Sequence, residues 1–333
     1  MYIWSDILVQ KPYMKKFFSL LVALGLLSPQ FFWAQSSIPF DQQYLISDDK
    51  VLLNPSYTGS TDDIVIRGTY HKQWDKLERS PNTQTLSGHF NLVDRLGVGA
   101  YFFRDENGPI TLNGINISAA YHIPLGDNED RTESQFSFGA SVSYMGQGYD
   151  WSKVRPADNP DPLIGKDKTI FIPYLNLGMS FIYKNFFGAV SVLDIPLGKN
   201  IPVVNSIEPS PAWYYFNLGY NWKVEENLIL TPSTMVTLNT NSESLMDLNL
   251  AAKYIFEENS ISLGISYRRS LDSQYKQDLF ITPFLRAEIG RLNFGAGYSF
   301  GQTDISKLAG DGFIFGLGYN IENVFNPEGF RYR

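Results

Sequence analysis

From residue 63 to residue 321 the chain alternates apolar residues with polar or small ones at a period of two. In 246–256, Leu248, Leu250, Ala252, Tyr254 and Phe256 fall on one face, and Asp247, Asn249, Ala251 and Lys253 on the other. The division recurs in 136–144, where Phe136, Phe138, Ala140, Val142 and Tyr144 oppose Ser137, Gly139, Ser141 and Ser143. It recurs again in 292–300, where Leu292, Phe294, Ala296, Tyr298 and Phe300 oppose Asn293, Gly295, Gly297 and Ser299. Successive side chains of a strand point to opposite faces, so each run predicts a strand with one apolar side. About fourteen such runs follow one another, near 63–71, 83–92, 96–104, 112–123, 135–145, 169–183, 186–193, 213–223, 228–239, 246–256, 260–268, 277–289, 292–300 and 312–321.

Runs of roughly 9 to 12 residues match the length of a tilted strand that crosses a bilayer. The connections supply a second test. Those after the even-numbered runs are short, as at 93–95, 184–185, 257–259 and 290–291, with 124–134 the exception. Those after the odd-numbered runs are longer: 72–82, 105–111, 146–168, 194–212, 240–245, 270–276 and 301–311. Outer-membrane barrels alternate in this way, with short periplasmic turns and longer extracellular loops. The predicted fold is therefore all-β, a transmembrane antiparallel β-barrel of about 14 strands, whose closure pairs every backbone group as hydrocarbon demands. A large soluble β-protein, such as a jelly roll or propeller, is the alternative. With an even strand number both chain ends lie in the periplasm, and the loop carrying Trp74 is the first extracellular one. Tyr101, Phe102, Phe103, Tyr121, Tyr144, Tyr183, Tyr254, Tyr267, Tyr298 and Tyr319 fall toward strand ends and are read as the aromatic belt. The inward residues are small: Ser137, Gly139, Ser141, Gly295, Gly297, Ser299, Gly316 and Gly318 leave lumen space for water, a plug or a threaded peptide.

Lys15 and Lys16, the apolar run 17–27 and Phe32-Trp33-Ala34-Gln35 predict a secretory signal peptide cleaved after Ala34, with Met14 a plausible true start. That gives four parts: signal peptide 1–34, a periplasmic segment 35–62, the barrel 63–321 and a periplasmic tail 322–333. Asp41 to Gly59 is read as a plug for the periplasmic mouth, and the tail as a contact arm or a frayed end.

Composition narrows the function. The chain of 333 residues is 44% hydrophobic and 15% aromatic but only 18% charged, without cysteine. Disulfides and thiolate metal sites are thereby excluded. A net charge of −7 without a basic stripe argues against a nucleic-acid partner. Only His71, His89 and His122 could serve as bases, all at unrelated strand positions. Ser87 lies two residues from His89, and Ser118 four from His122; nothing like a nucleophile elbow surrounds either, so no catalytic residue is assigned. Asp158, Asp161 and Asp167 lack the spacing of a calcium loop and are read as solvated, so no metal or cofactor is expected. Asp105-Glu106-Asn107-Gly108-Pro109 reads as a hairpin turn. Trp74, set among charges, is a sugar platform, a catalytic wall or a docking residue.

Four motifs in order carry a family resemblance: Leu53-Asn54-Pro55-Ser56-Tyr57-Thr58-Gly59, then Tyr70-His71-Lys72-Gln73-Trp74, then Asp105 to Pro109, then Ala120-Tyr121-His122. The chain resembles the PorP/SprF family of Bacteroidota outer-membrane proteins from about Asp41 to about Leu193. It departs from the family at His71, where arginine is usual. The family-motif residues are Asn54, Pro55, Gly59, Tyr70, Gln73, Trp74, Asp105, Asn107, Gly108 and Pro109. The resemblance implies a non-enzymatic accessory protein of the type IX secretion system. Its implied partners are secretion-system periplasmic or outer-membrane components, and one large secreted protein with a type IX C-terminal domain, such as a gliding adhesin; outer-membrane lipid surrounds it. On that reading Trp74, Lys76, Arg79, Tyr149, Trp151, Lys153 and Arg155 form a partner-binding surface, while packing of Trp74 and Trp151 onto the barrel mouth is the alternative. A channel for small or hydrophobic solutes is the alternative function.

Overall fold

The computed structural model describes residues 40–125, 134–149, 169–197, 212–239, 244–272 and 277–326. Each predicted run is a strand. In chain order they are β1 (Ile64–Lys72), β2 (Asn82–Val93), β3 (Leu96–Asn107), β4 (Ile110–Pro124), β5 (Ser134–Tyr149), β6 (Thr169–Tyr183), β7 (Phe186–Pro196) and β8 (Trp213–Tyr220). The second half continues with β9 (Trp222–Glu225), β10 (Leu228–Asn239), β11 (Ser244–Phe256), β12 (Asn259–Ser270), β13 (Asp278–Ile289), β14 (Leu292–Gly301) and β15 (Gly312–Ile321). β8 and β9 both pair with β10 and form one stave interrupted at Asn221. Neighbours in sequence pair antiparallel throughout, and β1 pairs with β15 from Ile64 opposite Ile321 to Lys72 opposite Phe313. The sheet thus closes into a ring of 14 staves.

Alternation fixes what faces where. Leu86, Ile117, Leu263 and Leu317 stand more than half exposed on the outer wall. A band of that kind would be an aggregation hazard in water and is the expected face toward lipid. The alternate positions line a polar lumen. There Asn116 donates to Ser141 and Ser143, and Asn176 donates to the same two hydroxyls, tying β4, β5 and β6 together across the inner wall.

Two expectations are corrected. Tyr101 and Phe103 are not belt residues: both point inward and are buried, and only Phe102 between them faces outward. They pack edge-on against Phe40, an apolar contact that the lumen of an empty barrel would not provide. The β3–β4 connection is not long either. Pairing runs on to Asn107 opposite Ile110, leaving Gly108-Pro109 as the turn, with Gly108 at φ 58°. The 301–311 loop contains a short helix that alternation could not reveal, α2 (Asp304–Ala309), capped by Thr303 Oγ1 accepting from the Ser306 N–H.

Before β1, the chain forms α1 (Asp41–Ser47) and single 3-10 turns at Lys50–Leu52 and Pro55–Tyr57. This segment lies inside the ring. Ile46 sits over Gly295 and Gly297, Ser47 over Gly316, and Pro55 over Gly139. The small inward residues are thus matched to a chain segment in the lumen.

Candidate functional site

The turn from Leu53 to Gly59 is fastened to the inner wall by groups from four strands, β2, β4, β6 and β7. Asn54 caps its own turn, accepting from the Ser56 N–H at 2.9 Å, and donates to the backbone carbonyls of Met179 on β6 and Val190 on β7, each at 3.1 Å. Ser56 donates to Ser180 at 2.8 Å and Thr58 to Ser118 at 2.9 Å. His122 Nε2 donates to the Thr58 carbonyl at 2.9 Å, while the Gly59 N–H donates to His89 Nδ1 at 3.1 Å. Ser191 donates to the Leu53 carbonyl. Gly59 has φ 64°, and a Cβ built there would meet Phe90 and Gly97 backbone within 2.8 Å, so both the conformation and the space demand glycine.

His89 and His122 are therefore not at unrelated positions, as the strand pattern suggested: both converge on this turn from β2 and β4. Neither pairs with the nearby serine. Ser87 donates instead to Asp49 and Ser118 accepts from Thr58. His89 and His122 thus both hold the lumenal turn, and His122 Nδ1 is further tied to Ser137 Oγ at 2.9 Å and to Gln135 Nε2 at 3.0 Å.

Asp49, 1% exposed, is held at one oxygen by Ser87, while its other oxygen has no partner among the described residues. Burial pushes its carboxyl up from 3.8 to about 6. A raised carboxyl favours the docked state most fully below the undocked value of 3.8, and that contribution is lost as pH rises through about 6. We expect protection of residues 40–59 from protease in the folded barrel to weaken between pH 4 and pH 7 by about 2 kcal/mol, from roughly 1.4 kcal/mol per unit. Asp49→Asn should flatten that dependence. An unchanged pH profile in the variant would remove Asp49 as its source.

Toward the long-loop end the lumen is filled by a buried cluster of Phe40, Leu52, Phe103, Met145, Trp213 and Met235 with their neighbours. Toward the short-turn end a cavity of about 780 Å³ remains, with Tyr44, Leu53, Asn54 and Tyr57 of the N-terminal segment along one side. Between β11 and β12 a buried ion pair lines the same lumen: Arg268 Nε and Nη2 donate to the two Asp247 oxygens at 2.7 and 2.8 Å.

The first long loop is braced rather than loose. The Asp75 and Lys76 N–H groups donate to the Asp311 and Ala309 carbonyls of the last long loop, and Asp75 Oδ1 accepts from the Asp311 N–H. Trp74 is half-buried, its carbonyl accepts from Leu77 N–H and Ser80 Oγ, and its backbone lies at φ 53°. A bulky residue in that left-handed region is uncommon and strained. Lys76 and Arg79 are exposed beside it. Trp151, Lys153 and Arg155, with Asp158, Asp161 and Asp167, lie outside the described residues; Tyr149 ends β5. The motif residues divide in two. Asn54, Pro55 and Gly59 sit in the lumen, whereas Tyr70 faces outward against Phe313, Gln73 donates its N–H to the Pro81 carbonyl, and Asp105 accepts from Thr83 beside the Asn107-Gly108-Pro109 turn. Sequence reasoning missed the receptors of the lumenal turn, Ser118, Ser180, Ser191 and Gly97; their only signal was small size at inward positions.

A closed barrel with an apolar outer band, a polar lumen and no membrane-crossing helix among the described residues is an integral outer-membrane β-barrel protein. The model of the family described as type IX secretion system membrane protein PorP/SprF matches residues 34–319, and the chain belongs to that family. Among solved structures it is similar to the CymD monoaromatic hydrocarbon channel, with a TM-score of 0.52 and 12% identity over 82% of this chain and 92% of that one. It is similar also to a deletion mutant of the TodX monoaromatic hydrocarbon channel, with a TM-score of 0.50 and 10% identity over 82% and 94%. A Pseudomonas aeruginosa FadL homologue follows at 0.48 and 10% identity over 82% and 93%. At such identity the first two likenesses show the fold alone. No curated protein matches the chain.

Proposed function

We propose that this protein is a non-enzymatic docking barrel of type IX secretion, whose long-loop face receives one large secreted protein carrying the pathway's C-terminal domain and helps it reach or remain on the cell surface. The observation that carries the reading is the braced first loop. Its backbone is tied to the 309–311 segment, so Trp74, Lys76 and Arg79 stand on a fixed platform and lose little freedom on binding. The strained tryptophan backbone supports the same reading, because such conformations gather at recognition sites. In this account the short turns face the periplasm, the N-terminal segment serves as a plug, and the 322–326 stretch, where Asn323 donates to the Asn91 carbonyl, begins a periplasmic arm.

The test is gentle detergent extraction of the tagged protein from its own membrane, followed by mass spectrometry of what copurifies. One large surface protein or secretion-system components should be recovered, and Trp74→Ala should reduce the yield of the large partner about tenfold or more, the effect of losing an aromatic hot spot. A bare barrel, under conditions that keep other envelope complexes intact, would overturn the reading. The solute-channel alternative draws on the 780 Å³ cavity. It requires conductance or solute uptake in liposomes, which the docking reading predicts to be absent.

A further inference from the structure

The cavity at the short-turn end has a charge unlike that of the chain. Lys50, Lys184, Lys223, Lys253 and Arg286 border it against only Asp48 and Glu288, in a protein whose net charge is −7. Lys253 is neutralised by Glu288 at 2.9 Å, and Asp48 is shared between Arg286 at 3.2 Å and Lys50 at 3.9 Å. Lys184 and Lys223 have no carboxylate partner among the described residues, and both stand where the cavity reaches the turns. Lys50, deeper, lies over the rings of Tyr57 and Phe187 at 5.6 and 5.9 Å.

The rest of the wall is neither a greasy tunnel nor a simple anion hole. Side-chain amides recur along it, at Asn185, Asn217, Asn221 and Asn249, interleaved with Phe187, Tyr215 and Phe284. Amides offer a donor and an acceptor on one group, the requirement for pairing with peptide backbone, and the rings accept apolar side chains. A volume of about 780 Å³ falls in the usual range of ligand sites, and it accommodates a few residues of extended chain. The cavity ends against Leu53, Tyr215 and Met235, members of the buried cluster, so its described access is from the short-turn side.

We infer that this cavity is a receptor for a short acidic peptide segment that enters from the short-turn end, with Lys184 and Lys223 capturing its carboxylates and Lys50 meeting the one that reaches deepest. The site is on the opposite mouth from the long-loop surface, so it does not depend on the docking reading given above.

The experiment uses the purified full-length barrel in detergent and a fluorescein-labelled hexapeptide of alternating glutamate and leucine, read by polarisation. Its controls are the same peptide with glutamine for glutamate, and octanoate as a competitor. The acidic peptide should bind, weaken as salt rises from about 50 to about 500 mM, and lose about tenfold or more in affinity with Lys184→Glu and Lys223→Glu together. Both lysines are solvent-facing, so a heat-modifiability shift on gels will confirm that the double variant is folded. Equal binding of the glutamine peptide, or unchanged affinity of the double variant, would overturn the proposal. Binding of octanoate without the peptide would reassign the cavity to small amphiphilic anions and overturn it too. Loss of partner capture in Trp74→Ala with peptide affinity intact would separate the two sites.

Discussion

Gly97→Val expels the Asn54–Gly59 turn from the barrel wall. A Cβ on Gly97 would lie 1.9 Å from the Thr58 carbonyl oxygen and 2.7 Å from the Gly59 Cα, both backbone atoms that no rotamer change can move aside. Relief requires the turn to retreat, and retreat breaks the bonds that Asn54, Ser56, Thr58 and Gly59 make to the wall. At roughly 1 kcal/mol for each hydrogen bond, the docked segment loses on the order of 5 kcal/mol. We expect residues 40–59 to become protease-sensitive while the barrel band on gels stays heat-modifiable. Gly88→Ala is the control, because its Cβ meets nothing closer than 3.8 Å. Full protection of the segment in Gly97→Val would mean that the turn is not held where the geometry places it.

Asp247→Ala is the second large effect, and its cause is charge rather than volume. Arg268 is 7% exposed and Asp247 4%, and the two share a bidentate contact. Removing the carboxylate takes away the bidentate partner of a guanidinium inside the lumen, a change that costs about 3–5 kcal/mol for buried pairs. The expected result is a clear fall in the thermal unfolding midpoint in detergent. Asp247→Ala combined with Arg268→Met should recover most of that loss, because the cost lies in the charge that has lost its carboxylate. If the double variant is as unstable as the single, the pair is acting through packing and the electrostatic account fails.

The barrel was legible because its rule is local. A period of two needs only neighbouring residues, and hydrocarbon outside with a polar lumen inside writes the same pattern on every stave, from Phe136–Tyr144 to Leu292–Phe300. Where a side chain's environment is set by a distant segment, reading failed. Tyr101 and Phe103 look like belt aromatics, yet they alternate with outward Phe102 and so face inward, where Phe40, some sixty positions earlier, supplies the apolar contact that only folding brings to them. The β3–β4 loop was overestimated for a related reason: pairing continues past the apolar alternation, with Arg104 and Glu106 bonded to one another beyond it.

The candidate site was legible in fragments. The Asn54-Pro55-x-x-x-Gly59 spelling announced a shaped turn, since asparagine caps, proline sets φ and glycine permits a positive φ. Nothing in it named the partners. Met179, Ser180 and Val190 lie more than 120 positions away, and a serine on a strand reads the same whether it meets water or Ser56. His89 and His122 carried no visible relation until the curvature of the wall aimed both at one turn.

The sequence alone determined the number of staves, the two faces of each and the class of membrane, because each rests on side-chain alternation along a single strand. Tertiary structure decided what the lumen holds, which cations share the short-turn cavity, and that Trp74 stands on a braced loop. Those are contacts between residues far apart in the chain, and ring closure, not local preference, brings them together.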